Sequence, residues 1–263
     1  ENLSKTTLKE RFPQFKADFG TLDVNAGFLF LPPIFKTLAY LLKKYKVEIK
    51  ENIEIKKILE TNESISIETN NGKFKTKSLV VTPGRWVNKI LPKINTSNVK
   101  SFPISLDRPK ECCYFIPNPQ KIPKFSSQQF PVFAYLDIGI YGHPILIDKT
   151  TGVKIGYYNP PGFEQSKIKS VKDFVEECIP SLKDASVVKV TGVDQCFYDS
   201  VEDNNFIVGK LPGSDKISVG CGFLGTGFKF APVIGKILTE LSIKESTKYN
   251  IQKFDPCRFV LNS

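Results

Sequence analysis

The sequence predicts a mixed fold of the α/β and α+β classes, with two domains interleaved along the chain. Three observations carry this. Helical and strand periodicities alternate early in the chain, and the run "SLVVTPG" (78–84) is continuously apolar, as in a parallel strand covered on both faces. From about 98 to 195 the character changes to short β-rich runs separated by Pro, Gly and Ser clusters, which suggests an antiparallel sheet. After that, a strand, a glycine-rich turn and a helix restore the α/β style. One domain is therefore expected from 1–22 and 98–195, the other from 23–97 and 196–263. At 263 residues and 41% hydrophobic, the chain can bury a core of that size.

The elements follow in order. From Pro33, apolar Phe35, Leu38, Leu42 and Tyr45 recur at helical spacing, with the Pro pair where a first turn tolerates it. Next, Val47, Ile49, Ile53 and Ile55 alternate with polar residues and predict a strand, followed by a hairpin turning at Asn71-Gly72. In the middle region "ECCYFIP", "FPVFAYLDIGIYGHPILI" and "GVKIGYYNP" read as strands, interrupted by one helix in "SVKDFVEECIPSL". At the end, strand "KISVG" precedes a helix expected to start at Pro232, with Val233, Ile234, Ile237, Leu238 and Leu241 on one stripe.

Composition excludes several classes. No apolar run approaches the ~18 residues of a membrane span, the nearest, "GFLFLPPIF", being broken by Pro32 and Pro33. The net charge is +10, but Arg11, Arg85, Arg108 and Arg258 are the only arginines among 37 basic residues. Scattered Lys mixed with Glu makes a solvated face rather than a nucleic-acid stripe, so no nucleic-acid partner is expected. Six cysteines (Cys112, Cys113, Cys178, Cys196, Cys221, Cys257) form no C-x-x-C pair, so neither zinc nor a disulfide scaffold is expected. The single His143 reads as a loop or core histidine. The chain begins with Glu1 and contains no Met, and it is read as a fragment without its N-terminus.

Gly220, Gly222 and Gly225 have dinucleotide-fingerprint spacing, yet they stand near the chain's end, with no second parallel strand and acidic residue to follow. An NAD enzyme is disfavoured. The loop "GFLGTGFKF" (222–230) still lets backbone N–H groups and a helix N-terminus approach an anionic or carbonyl-rich group. Lys229 at that helix start is not favoured by the dipole, which hints at a use.

Taken together, "LVVTPGRWVNKIL", "YGHP", "GVKIGYYNPPG", "CFYDSVEDNNFIVGKLP" and "GFLGTGFKFAPVIGKILTELSI" resemble the monomeric sarcosine oxidase family, notably its eukaryotic peroxisomal sarcosine and L-pipecolate oxidases. The resemblance runs from about residue 5 to 259. It implies an FAD-binding Rossmann-like domain, here lacking its N-terminal βαβ unit, interleaved with an antiparallel substrate domain. It also implies FAD held covalently through Cys196, Lys154 as the lysine that activates oxygen, and Lys229 and Tyr141 as carboxylate ligands. Gly225, Thr226, Gly227 and Phe228 match the loop over the flavin, and Ile53, Thr82, Gly84 and Trp86 complete the cofactor residues. Two departures are Tyr158, where many relatives have His, and Gly209, where an acid is usual. The implied reaction oxidises a secondary-amine amino acid with oxygen, in a monomer without metal, in the peroxisome or cytoplasm. The last residues "LNS" are not a standard peroxisomal signal. The competing expectation is a catalytically silent relic acting as a scaffold.

Overall fold

The computed structural model describes residues 1–106, 110–146, 152–157, 168, 170–191, 196–244 and 246–260. Along the chain it forms β1 (Asn2–Ser4), α1 (Lys5–Arg11), β2 (Phe19–Thr21), α2 (Leu31–Lys44), β3 (Ile55–Glu60), β4 (Ile65–Thr69), β5 (Gly72–Thr76) and β6 (Leu79–Val81). Then come α3 (Val87–Ile90), β7 (Ile104–Leu106), β8 (Cys112–Ile116), β9 (Phe133–Tyr135), β10 (Ile140–His143), β11 (Val153–Tyr157) and α4 (Val171–Cys178). The chain continues with β12 (Ser186–Lys189), β13 (Asp199–Val201), β14 (Ile207–Lys210), β15 (Ile217–Cys221) and α5 (Gly227–Lys244). Two compact units share these elements: unit 1 is Glu1–Phe30 with Pro109–Cys196, and unit 2 is Leu31–Arg108 with Phe197–Ser263.

Unit 1 is built on a five-stranded antiparallel sheet in the order β12-β8-β11-β10-β9. Strand alternation gives it two faces. One carries Cys113, Phe115, Ile140, Val153 and Ile155, all buried with Val171, Phe174 and Val175 of α4. Ser170 starts α4 by accepting the Asp173 N–H, and Glu111 Oε2 accepts the Val171 N–H at 2.9 Å, so an acid stands at the positive helix end. Aromatic rings knit the core to the first residues: Phe15 stacks on Phe130 at 4.7 Å, and Phe133 lies 6.2 Å from Phe174.

Unit 2 contains a three-stranded sheet, β14-β15-β6, in which β14 runs antiparallel to β15 and β15 parallel to β6. The parallel pairing expected of "SLVVTPG" is present, through Leu79 opposite Ile217 and Val81 opposite Val219. The meander β3-β4-β5 shares a core with it, Ile58 and Ile65 packing with Val81, Ile217 and Val219. Helix α5 covers the other side, with Ile237, Leu238 and Leu241 clustered on Val208.

The structure corrects three local readings. No strand covers 47–54: Val47 and Ile49 are half or more exposed, and pairing begins at Ile55, because alternation without a partner strand does not make a sheet. The hairpin turns at Asn70-Asn71, between paired Thr69 and Gly72, one residue earlier than expected. Gly72, at φ +97°, relieves the turn from inside the strand. Helix α5 begins at Gly227, and Pro232 lies within it. Helix α2 forms as expected but buries none of its residues, and its apolar positions Leu31, Phe35 and Leu38 stay about half exposed.

Candidate active site

Tyr141 and Lys154 come together on the second face of the unit 1 sheet. In the β10–β11 register Tyr141 lies opposite Gly156 and His143 opposite Lys154, while on β8 Tyr114 faces Lys154 and Cys112 faces Gly156. Directly paired residues project to the same side. Tyr141, His143, Lys154, Tyr114 and Cys112 thus share one polar face, opposite the core. Gly156 makes room for the phenol: a Cβ there would stand 3.0 Å from both Cζ and Oη of Tyr141.

Among the described residues Lys154 has no hydrogen-bond acceptor and no carboxylate partner. Burial pushes the Cys112 thiol up to about 11, against the opposing pull of the Lys154 ammonium. His143 is held below its ordinary value, first by burial, with Lys154 adding to the effect and the Pro144 carbonyl opposing it. The imidazole Nδ1 lies 2.8 Å from Pro144 O, and the Phe28 ring stacks over it at 5.7 Å.

Unit 2 holds the other candidates, at the carboxyl ends of its two parallel strands, where open α/β sheets bind ligands. After β6, Thr82 is exposed, Gly84 turns at φ +56°, and Trp86 is about half exposed. After β15, Gly222, Leu224 and Gly225 all adopt positive φ, and α5 begins at Gly227. The loops adjoin: a Cβ on Gly220 would lie 3.4 Å from Thr82 Cγ2. Thr226 closes its own turn, both its N–H and Oγ1 donating to Phe223 O. Phe228 is exposed against Phe35 at 5.7 Å, and Lys229 is exposed beside Phe230. Ile53 is half-buried in the irregular segment before β3.

The cysteines separate. Cys196 is exposed and its carbonyl accepts the Lys110 N–H at 3.3 Å, whereas Cys221 is fully buried with its thiol pushed far up by desolvation. A side chain at Gly209 would meet Pro256 Cδ at 2.6 Å, so the departure there follows from packing of the C-terminal turn. Tyr158 lies outside the described residues. Sequence reading missed Gly156 and His143, although strand alternation already placed 141, 143, 154 and 156 in phase. It also missed Arg85, whose guanidinium sits over Trp86 at 4.7 Å and Phe197 at 5.2 Å.

Unit 2 fits a flavin nucleotide in its donor chemistry. The first-turn N–H groups of α5 have no intrahelical acceptor, Gly84 has open space where a Cβ would be, and exposed Trp86, Phe197 and Phe228 suit a planar ring. A parallel sheet ending in such loops, with a separate antiparallel sheet bearing Tyr and Lys, is an architecture compatible with a two-domain oxidoreductase that uses a nucleotide cofactor. The chain belongs to the FAD-dependent oxidoreductase family, which matches residues 1–241. It is similar to the human peroxisomal sarcosine oxidase, 28% identical over 284 residues that cover 98% of this chain and 67% of the relative. The monomeric sarcosine oxidase of Streptomyces avermitilis is 24% identical over 74% of this chain and 52% of its own. Among solved structures, L-proline dehydrogenase from P.horikoshii shares the fold at TM-score 0.68 and 22% identity, over 98% of this chain and 68% of that one. The resemblance read from the motifs is thereby supported, and the chain is an FAD-dependent enzyme of the amino-acid oxidase type.

Proposed function

We propose that this chain serves the oxidation of a secondary-amine amino acid of the sarcosine or L-pipecolate type, with oxygen as acceptor, giving an imine and hydrogen peroxide. The observation that carries it is the unit 1 face, where Lys154, without a carboxylate partner among the described residues, stands beside a Tyr141 phenol seated on Gly156, in a chain of an FAD-dependent family. Unit 1 is read as the substrate domain and unit 2 as the FAD-binding domain. FAD, when bound, supplies the acceptor for the two electrons and hydrogen removed from the carbon beside nitrogen. Thr82, Gly84, Trp86 and the 225–228 turn would hold its ring end, with Ile53 a further contact, and Cys196 would tether it covalently.

The chain's own residues orient and charge the site. Tyr141 and Lys229 hold the substrate carboxylate, which aims the amine end at the cofactor. Lys154 places a fixed positive charge where an electron passes to oxygen. A substrate bound as free amine needs no side-chain base. We read the protein as a monomer of the peroxisome, the compartment named for its human and mouse relatives. No described helix is long and apolar enough to cross a membrane.

The test is anaerobic addition of sarcosine or L-pipecolate to the flavin-loaded protein. Bleaching of the flavin, followed by one peroxide per turnover when oxygen is readmitted, is expected. An unbleached spectrum with both sinks the proposal. The tether has its own test: flavin fluorescence should stay with the chain through denaturing electrophoresis, and should be lost in Cys196→Ala but not in Cys221→Ala. Fluorescence at the dye front in the unmutated protein removes the tether.

A further inference from the structure

Arg85 stands in the turn that leaves β6, between Gly84 and Trp86, two residues read above as cofactor contacts. Its guanidinium lies 4.7 Å from the Trp86 ring centroid and 5.2 Å from that of Phe197, which comes from a distant part of the chain. A guanidinium gripped by aromatic rings keeps its N–H donors in its own plane, directed past the rings, and loses little freedom when they are used.

The grip extends to the second loop of the site. Tyr198, next to Phe197, lies against the turn after β15: a Cβ at Gly225 would stand 2.5 Å from its Cδ1 and Cε1. Residues 197 and 198 thus tie the loop after β6 to the loop after β15, and all of these residues belong to unit 2. Arg85, Trp86 and Phe197 are exposed, so the charge is held at the mouth of the site rather than in the core. The segments 82–86 and 222–229 contain two cations, Arg85 and Lys229. Lys229 is assigned to the substrate carboxylate, which neutralises it. Arg85 is the charge left over for the cofactor, and a planar ring seated on the loops would shield it from water and strengthen its field.

We propose that Arg85, aimed by Trp86 and Phe197, sets the electron affinity of the cofactor. Hydride transfer brings one hydrogen and one negative charge to the ring, while the substrate is left as an iminium that releases its N–H proton to become the imine. The guanidinium answers the charge that arrives on the ring. This rests on the flavin reading of unit 2 and adds a residue to it.

The experiment reduces the flavin-loaded full protein stepwise with dithionite beside an indicator dye, and reads the ratio of reduced to oxidised flavin at a fixed state of the dye. Arg85→Gln should lower that ratio about tenfold, a fall of ~30 mV for a two-electron couple and the effect of one charge at ~8 Å in an effective dielectric of ~30. Arg85→Lys keeps the charge without the flat fork, and should stay within about threefold of the unmutated protein. Lys183→Gln, which removes the same charge from unit 1, should leave the ratio unchanged. A ratio unmoved in Arg85→Gln, or lowered equally in Arg85→Lys or Lys183→Gln, overturns the assignment and makes Arg85 a staple between loops. Dithionite needs no amine, so the two readings fail separately. A protein with an Arg85-dependent ratio that neither sarcosine nor L-pipecolate bleaches keeps this proposal and loses the oxidase reading; one that bleaches with a ratio indifferent to Arg85 does the reverse.

Discussion

Gly156 and Tyr141 show how one missing side chain shapes a site. An added methyl at 156 would press on the phenol, so Gly156→Ala should raise KM for substrate severalfold with a small change in Tm, which steady-state kinetics and a melting curve resolve together. Lys154→Met keeps volume and removes charge, and it should slow flavin reoxidation by about two orders of magnitude while slowing reduction far less. Equal slowing of both half-reactions in stopped flow counts against the assignment. His143 contributes to stability with a definite sign. Its folded pKa lies below the unfolded ~6.5, so the unfolded chain takes up the proton first. Its cost is absent above that value, grows as pH falls through 6.5, and levels off below the folded pKa. Denaturation midpoints between pH 7.5 and 5 should show a decline attributable to this residue that disappears in His143→Gln.

At the scale of elements, α4 and α5 answer to different rules. Phe174 is fully buried between α4 and the sheet, and Phe174→Ala should cost about 3–5 kcal/mol in urea unfolding. Losing the Ser170 cap should cost only about 1 kcal/mol. The sequence made α4, the antiparallel sheet and the parallel β6 legible because each has a strong period and a buried face. It could not place β3's start, since Val47 and Ile49 alternate as a strand does, and only the absence of pairing for 47–54 shows otherwise. Pro232 misled for a similar reason. Proline was read as a helix start, whereas the glycine turn had already begun α5 five residues earlier. Site residues carried by motif landed at strand ends and on one sheet face. His143 stayed hidden because a lone histidine has no motif, and only the register with Lys154 gives it a neighbour.

Across the whole molecule, the largest departure from a sequence reader's expectation is α2. Its apolar stripe has the right spacing for a core face, yet Leu31, Phe35 and Leu38 remain open to solvent. An apolar dye should fluoresce on the isolated chain. Phe35→Glu with Leu38→Glu should remove much of that signal at a cost within about 0.5 kcal/mol of stability, because neither side chain is buried. A large loss of Tm would show the stripe to be packed after all.

The interleaving of the two units sets a timetable for synthesis. Strand β6 leaves the ribosome with Leu79 and Val81 ready to pair, but its partner β15 is about 140 residues further along. At ~5–20 residues per second, that is a wait of roughly 7–28 s, during which all of β8 to β14 emerges. Unit 1 can close as soon as Cys196 is out, while the first half of unit 2 is still without its sheet partner. Folding on the nascent chain therefore completes unit 1 before unit 2, and the apolar β6 edge is the stretch that most needs a chaperone's cover.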